Sequence, residues 1–200
     1  MDFTEAEKMK KRKINIFYIL GVFLIVAAVG MYVTRIVAIS EEERKTSEIA
    51  DLIENHLPAR TAGVVGEYYN VNMPAYSIGG TDYVGLLQVR NLGIKRPVLS
   101  KWPKKDMVTH PSKYCGSVYT GNMVIGGSNH KGQMDFLSLL DLGYEVIITD
   151  MLGNEFTYEI KRIDRADTVD EKLLTSEDYL LTLFTYARNE KKYIIVRCNL

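Results

Sequence analysis

Two runs near the end of the chain decide its fold class: Leu181-Thr182-Leu183-Phe184-Thr185-Tyr186 and, after the polar segment 187–192, Tyr193-Ile194-Ile195-Val196-Arg197-Cys198. Both are rich in β-branched, aliphatic and aromatic residues, which predicts two strands joined by a short loop. In an antiparallel pair, the residues that enter and leave the loop lie side by side, and side chains alternate between the two faces. The pattern therefore predicts that Tyr186 lies near Arg197 at one mouth of a sheet, while Cys198 points the other way.

The length and composition of the chain allow one substantial core. Its 200 residues are 46% hydrophobic, and 25 basic residues balance 25 acidic ones. Because there is no net charge, nothing global favours a nucleic-acid partner. We expect one modest domain with accessory segments and no nucleic-acid binding.

The residue types that bind metals and nucleotides form no recognisable pattern. Cys115 and Cys198 make neither a C-x-x-C nor a zinc-type spacing, and His56, His110 and His130 are scattered. The chain also has no βαβ rhythm, no G-x-G-x-x-G and no P-loop. The sequence therefore predicts no metal site and no cofactor.

An uncharged stretch near the amino terminus predicts a membrane anchor. Residues 14–33 carry no charge, and about twenty helical residues at about 1.5 Å each span a bilayer core of roughly 30 Å. Five cations lie within residues 8–13, whereas Arg35 and an acidic run at 41–43 follow the stretch. The positive-inside bias predicts a cytoplasmic basic tail at 1–13, a single-pass anchor at 14–38 and an extracellular remainder.

Two alternatives to the anchor are a cleaved signal peptide and a buried core helix. The uncharged run is longer than the usual signal core of about 7 to 15 residues, and no convincing A-x-A cleavage site follows it. A soluble core helix would rarely carry five clustered cations at one end. An uncleaved anchor is the interpretation that these observations favour.

Residues 39–80 predict a helical stalk and a linker. Ile49, Leu52, Ile53 and Leu57 recur at helical spacing, which predicts an amphipathic helix over 41–57. We expect this helix to pack against the fold, with a free stalk or a flap as the alternative. Residues 58–80 are rich in Gly and Pro and show little periodicity, which is typical of an irregular linker.

Short alternating runs from residue 81 onward predict an all-β domain, either a barrel or a sandwich. Gly, Pro and Asn separate the runs, and Gly121-Asn122 is a favoured pair for a two-residue hairpin turn. A short helix is expected at 134–142. The predicted strands, about eight in all, are 83–90, 94–99, 116–120, 123–127, 144–150, 155–165 and the two terminal runs.

These segments, in this order, resemble the sortase family. The sequence Y-V-G-L-L-Q-V at 83–89 is similar to the first barrel strand of the family, and R-P-V at 96–98 to the start of its second. Residues 116–127 resemble the approach to the family histidine, and 143–150 and 153–160 resemble its middle strands. T-L-F-T-Y at 182–186 resembles the family motif T-L-x-T-C. The resemblance covers 83–198 and implies a closed eight-stranded β-barrel with short helices, preceded by one amino-terminal transmembrane helix.

The resemblance also implies a cysteine transpeptidase. In such an enzyme a thiolate attacks the Thr-Gly bond of an L-P-x-T-G-like sorting signal, and an amine on a cell-wall precursor or a pilin resolves the acyl-enzyme. This chemistry needs a nucleophile, an acid/base and a cation or donor for the oxyanion.

This sequence departs from that pattern at two positions. Tyr186 stands where the motif has its cysteine, and Ser128 stands where the family's G-H-N has its histidine; His130 lies two residues later as a possible substitute. A phenol has a reference pKa near 10, against about 8.5 for a thiol, and its bulk fills the space that a scissile carbonyl would need. Arg197 matches the family arginine. By the same resemblance, Thr185 and Asn129 are implied as substrate-binding residues.

The sequence therefore leads to three hypotheses. The favoured one is a membrane-anchored extracellular pseudo-sortase that binds a sorting-signal peptide, a pilin or a partner sortase. The second is an active sortase that uses His130 with an unconventional nucleophile. The third is a purely structural partner in envelope assembly.

Overall fold

The computed structural model describes residues 16–66, 71–103, 110–175 and 178–200. The basic tail expected at 1–13 and the first two residues of the expected anchor lie outside these ranges. Within these ranges, two 3-10 turns occur, at Arg90–Leu92 and Asp135–Leu139. The helices and strands are α1 Ile16–His56, β1 Thr61–Ala62, β2 Tyr76–Ile78, β3 Thr81–Val89, β4 Ile94–Leu99, β5 Ser112–Cys115, β6 Met123–Ser128, β7 Glu145–Asp150, β8 Asn154–Ala166, α2 Glu171–Leu174, β9 Leu181–Ala187 and β10 Lys192–Asn199.

The chain divides into two compact units after Ser40. In the first unit, the described residues form the apolar part of α1, whose large side chains, such as Phe23 and Leu24, are exposed. By length and composition, α1 is the one helix of the described residues that is able to cross a membrane, and a signal sequence has the same character.

The second unit is a closed eight-stranded barrel, as the sequence predicted. Around the barrel the strands follow the order β3, β7, β8, β10, β9, β6, β5 and β4, and β4 pairs with β3 to close it. Most neighbours are antiparallel, but β6 is parallel to β9 and β4 is parallel to β5. Two short strands add to the outside, β1 on β8 and β2 on β3. These two strands lie in the region that we expected to be an irregular linker.

The alternation of β9 and β10 sets the inner and outer faces of the barrel. Leu183, Ile194, Val196 and Cys198 are fully buried in the main core. Each buried aliphatic side chain of this kind stabilises the fold by about 1.5–3 kcal/mol. The residues between them, among them Arg197, face outward, so the prediction that Cys198 and Arg197 point to opposite faces is confirmed.

The carboxyl-terminal part of α1 packs against the barrel, which confirms the expected packing of 41–57. Ala50 and Ile53 are almost fully buried in a cluster with Leu86 of β3. Glu54 forms ion pairs with Lys95 and Arg60. The hydrogen bond from Lys95, assisted by both positive charges, lowers the pKa of Glu54 below its ordinary value.

The strand predicted at 116–120 is wrong. The strand ends earlier, at Cys115, because Gly116 has a left-handed φ of 71° and a Cβ there would lie 2.0 Å from the carbonyl oxygen of Asn122. The side chain of Asn122 accepts a hydrogen bond from Ser117 N at 3.1 Å and closes the loop. Tyr119 looked like a strand residue, but it donates its hydroxyl to the buried carboxylate of Asp150 at 2.6 Å.

Candidate functional site

A groove of about 500 Å³ lies on the outer face of β6, β9 and β10. Segment 169–174, which contains α2, forms one side, which we call the groove wall. Trp102 and Tyr114 form part of the rest of the lining. The Asp170 carboxylate caps α2 by accepting a hydrogen bond from Leu173 N at 2.7 Å, and Leu174 is buried against the sheet beside Phe184.

Strand register brings three polar side chains into one row at this groove. Tyr186 of β9 is the partner of Ser128 on the parallel strand β6 and of Tyr193 on the antiparallel strand β10. All three line the groove. Tyr186 is 40% exposed, and its ring lies 5.0 Å from that of Tyr193, centroid to centroid. We call Ser128, Tyr186 and Tyr193 the central row.

The next row along the strands is apolar and aromatic. Phe184 is 6% exposed because Trp102 stacks on it, with centroids 5.6 Å apart and planes at 20°. Tyr114 meets both of these rings edge to face, at 5.4 and 5.7 Å. Gly126 makes room for this cluster, since a Cβ there would lie 2.4 Å from the Phe184 ring. Trp102 is the only tryptophan of the chain, so it is a built-in optical reporter of the groove.

Arg197 does not lie beside Tyr186, and that expectation is wrong. Arg197 pairs with Thr182, four residues before Tyr186, which is a separation of roughly 13 Å along the strand. The length of the hairpin loop fixes which residue lies opposite Tyr186, and that residue is Tyr193.

Arg197 instead binds the back of the groove wall through its guanidinium. Its side chain is only 5% exposed; Nε donates to Asp164 Oδ2 at 3.1 Å, and Nη2 donates to the Leu173 carbonyl at 2.6 Å. Its guanidinium carbon also lies 5.4 Å from the centroid of the Tyr179 ring. Arg197 therefore joins the end of α2 and the chain that follows it to the outside of the barrel.

The other residues expected at the site divide between the groove and the sheet. His130 is exposed and lines the groove, in the turn that follows β6. Asn129 is partly buried, and its Oδ1 has no hydrogen-bond partner among the described residues. Thr185 is fully buried and donates its hydroxyl to the Gly127 carbonyl at 2.9 Å. Thr185 therefore fastens β9 to β6 and does not face the groove.

The two cysteines are shielded to different degrees, Cys115 partly and Cys198 fully. Both are free thiols, and neither is among the described residues that line the groove. Cys198 is sealed in the core, and burial raises its pKa to about 12. Burial, assisted by Glu171, also raises the pKa of Cys115 above its ordinary value. Reactive cysteines need the opposite shift, because the thiolate is the attacking form.

Sequence reasoning missed several groove residues. Trp102 and Tyr114 come from segments remote from the terminal strands, and no pattern in the sequence joins them. The signal for Tyr193 was present, because it is the first apolar residue after the loop that follows Tyr186. Arg188 was counted as a loop residue, although the two-residue alternation from Tyr186 places it on the groove face.

Comparison with solved structures identifies the architecture. The sortase D5 transpeptidase of Clostridium perfringens is 21% identical, with a TM-score of 0.50, over 60% of this chain and 79% of that chain. Sortase C1 from Streptococcus agalactiae is 16% identical, with a TM-score of 0.50, over 62% of this chain and 69% of that chain. The chain has a sortase fold. No family model and no curated protein matches the sequence.

Two residues of the central row lie where the sequence resembles sortase motifs. Tyr186 ends the strand that resembles T-L-x-T-C, Ser128 ends the strand that resembles the approach to the histidine, and the register makes the two partners. An arginine on β10 directly opposite residue 186 would have to be residue 193, which is a tyrosine. At the two positions of this row that the sortase resemblance singles out, 186 and 128, the chain carries a phenol and a hydroxyl, and the register places a second phenol, Tyr193, beside them.

Proposed function

We propose that this protein is a membrane-anchored extracellular pseudo-sortase, whose groove binds a sorting-signal peptide, a pilin or a partner sortase without cleaving it. The observation that carries the proposal is the central row. Ser128, Tyr186 and Tyr193 are adjacent across three strands and contain no thiol, no imidazole and no guanidinium.

Each residue of the central row lacks a property that transpeptidation requires. A phenol with a reference pKa near 10 is mostly protonated at neutral pH and is a poor acyl acceptor. A serine hydroxyl does not shuttle protons near pH 7 as an imidazole does. Tyr193 offers one neutral donor where an arginine would offer a fixed charge to an oxyanion. Losing even one member of such a unit costs several powers of ten in rate.

The groove keeps what peptide binding needs. It has an apolar end at Trp102, Tyr114 and Phe184 and a polar end at the central row. Concave sites that combine an aromatic lining with a few placed polar groups are the usual form of ligand sites. Binding without bond cleavage therefore requires no group that the chain lacks.

The anchor and its orientation belong to the same proposal. The apolar part of α1 and the five cations within residues 8–13 support a single-pass anchor with a cytoplasmic amino terminus. The barrel would then stand outside the cell, where sorting signals and pilins are handled.

An active enzyme remains the second candidate, because His130 lines the same groove as Ser128 and Tyr186. A proton acceptor near two hydroxyl groups is the arrangement that an unconventional nucleophile would need.

Peptide cleavage tests the proposal. The full-length protein in mild detergent is incubated with a fluorogenic L-P-x-T-G-type peptide, alongside the triple variant Tyr186→Cys, Ser128→His and Tyr193→Arg. The matched control has Tyr186→Ala with the same two other changes. We expect no cleavage by the unmodified protein or the control and measurable cleavage by the triple variant. Cleavage by the unmodified protein that His130→Gln abolishes would establish the second candidate instead.

A further inference from the structure

Among the described residues that line the groove, Arg188 is the charged side chain that the fold leaves without a partner. We infer that Arg188 selects peptides that carry an anionic side chain, Glu or Asp, beside an apolar residue held at the aromatic end. This inference rests on the proposed function of the groove as a peptide site and specifies the chemistry of its ligand.

Arg188 follows Tyr186 by two residues, and the buried Ala187 lies between them. It lines the groove at the same end as Tyr186 and Tyr193. Its position in the hairpin loop leaves the side chain exposed and able to reach a ligand lying over the central row.

Two other cations near this end have acidic partners. Arg165 pairs with Glu190 at 2.8 Å, and Lys192 approaches Asp167 to 3.9 Å. Within 16–66, 71–103, 110–175 and 178–200, no acidic side chain pairs with Arg188 and no hydrogen bond engages its guanidinium. Arg197, the other arginine considered for the site, is buried and already holds Asp164 and the Leu173 carbonyl.

The carboxylate of Asp170 also lines the groove, but it is already engaged in a hydrogen bond within the protein. Its Oδ1 accepts the hydrogen bond from Leu173 N that caps α2. Of the charged groups in the described lining, the guanidinium of Arg188 is therefore free to bind a ligand. A planar guanidinium presents paired donors that match a carboxylate in a bidentate geometry.

The aromatic end of the groove determines how far the anionic side chain of a bound peptide lies from its apolar side chain. Trp102, Tyr114 and Phe184 offer aromatic surface, and Leu174 of the groove wall adds an aliphatic contact. A ligand that fills the groove therefore places an apolar side chain against these rings and its charged group toward Arg188. Charge complementarity at a partly enclosed site corresponds to an affinity gain of about tenfold over a neutral analogue.

A charge-swap titration tests the inference. The probes are hexapeptides with acetylated and amidated ends, which contain one Leu-Pro unit and a Glu at each other position in turn, with matching Gln and Lys peptides. Binding to full-length protein in mild detergent is followed by Trp102 fluorescence. We expect at least one Glu peptide to bind about tenfold more tightly than its Gln counterpart. This advantage shrinks as salt is added.

Two substitutions and one control decide the result. Arg188→Gln should abolish the preference for Glu over Gln, and Arg188→Glu should convert it into a preference for the Lys peptide. Lys191→Gln changes a charge in the same hairpin loop but at a residue outside the groove lining, so the preference should remain. Equal binding of Glu and Gln peptides at every position, or a preference that survives Arg188→Gln, overturns the inference and leaves the proposed function standing. If no peptide of any charge binds, both are overturned.

Discussion

Replacing the buried guanidinium of Arg197 should destabilise the protein by about 3 kcal/mol. Arg197→Met keeps most of the apolar stem but removes the charged hydrogen bond to the Leu173 carbonyl, which contributes about 1.5–3 kcal/mol and leaves that carbonyl without its donor. It also removes the contact with the Tyr179 ring, at about 0.5–1 kcal/mol. The pairing with Asp164 adds less, because Arg162 still donates to that carboxylate at 2.6 Å. Relief of guanidinium desolvation offsets part of this sum.

Urea unfolding of the full-length protein in mild detergent, followed by Trp102 fluorescence, measures this effect. With a slope of about 2 kcal/mol per molar urea, the midpoint should fall by roughly 1.5 M. Arg162→Met is the matched control, because Arg162 reaches the same Asp164 with a side chain that is 62% exposed. Its midpoint should not change measurably. Two results would refute the reasoning: Arg197→Met unfolds at the same urea concentration as the unmodified protein, or both variants shift equally. Either result would mean that the contacts of Arg197 with the groove wall do not stabilise the protein.

Three further outcomes follow from burial and packing. At pH 8 in native buffer, a thiol reagent should label Cys115 slowly and Cys198 only after unfolding, because burial raises the pKa of both thiols; rapid labelling of Cys198 would contradict its place in the core. Gly126→Ala should shift the Trp102 emission and lower the unfolding free energy by about 1–3 kcal/mol, since its Cβ would lie 2.4 Å from the neighbouring aromatic ring; an unchanged spectrum and midpoint would refute the close packing. Burial lowers the pKa of His110, so the unfolded chain binds the proton more readily and stability should fall as pH drops below about 6.5. His110→Gln should flatten this fall, measured as urea midpoints from pH 7 to 5, and identical slopes for both proteins would exclude His110 as its source.

The strands were largely readable from the sequence because their alternation is strong. Period-two patterns placed β4, β7, β8, β9 and β10 within a residue or two of their observed ends. The pattern failed at 116–120, where the same residue types form a loop. Gly116 has a positive φ there, and Tyr119 reaches Asp150, a partner that is remote in sequence. Such a contact depends on tertiary structure, which local periodicity does not carry.

The candidate site was only partly readable for a related reason. The replaced positions Tyr186 and Ser128 could be named from their own strands, and the structure makes them partners. The residue opposite Tyr186 on β10 depends on the register of the hairpin, which neither strand reveals alone. A register four residues different would have placed Arg197 there instead of Tyr193. Trp102 and Tyr114 join the groove through the closure of the barrel, which no short window of sequence reveals.

One titration measures both peptide binding and peptide cleavage at the groove. Full-length protein in mild detergent is titrated with an intact L-P-x-T-G-type peptide while the fluorescence of Trp102 is recorded, and the peptide and protein masses are measured after prolonged incubation. We expect a saturable fluorescence change, absent in Trp102→Phe, together with a peptide of unchanged mass and a protein without a covalent adduct. A shortened peptide or an acyl adduct on the protein would contradict the pseudo-sortase proposal, and a flat titration would contradict peptide binding at the groove.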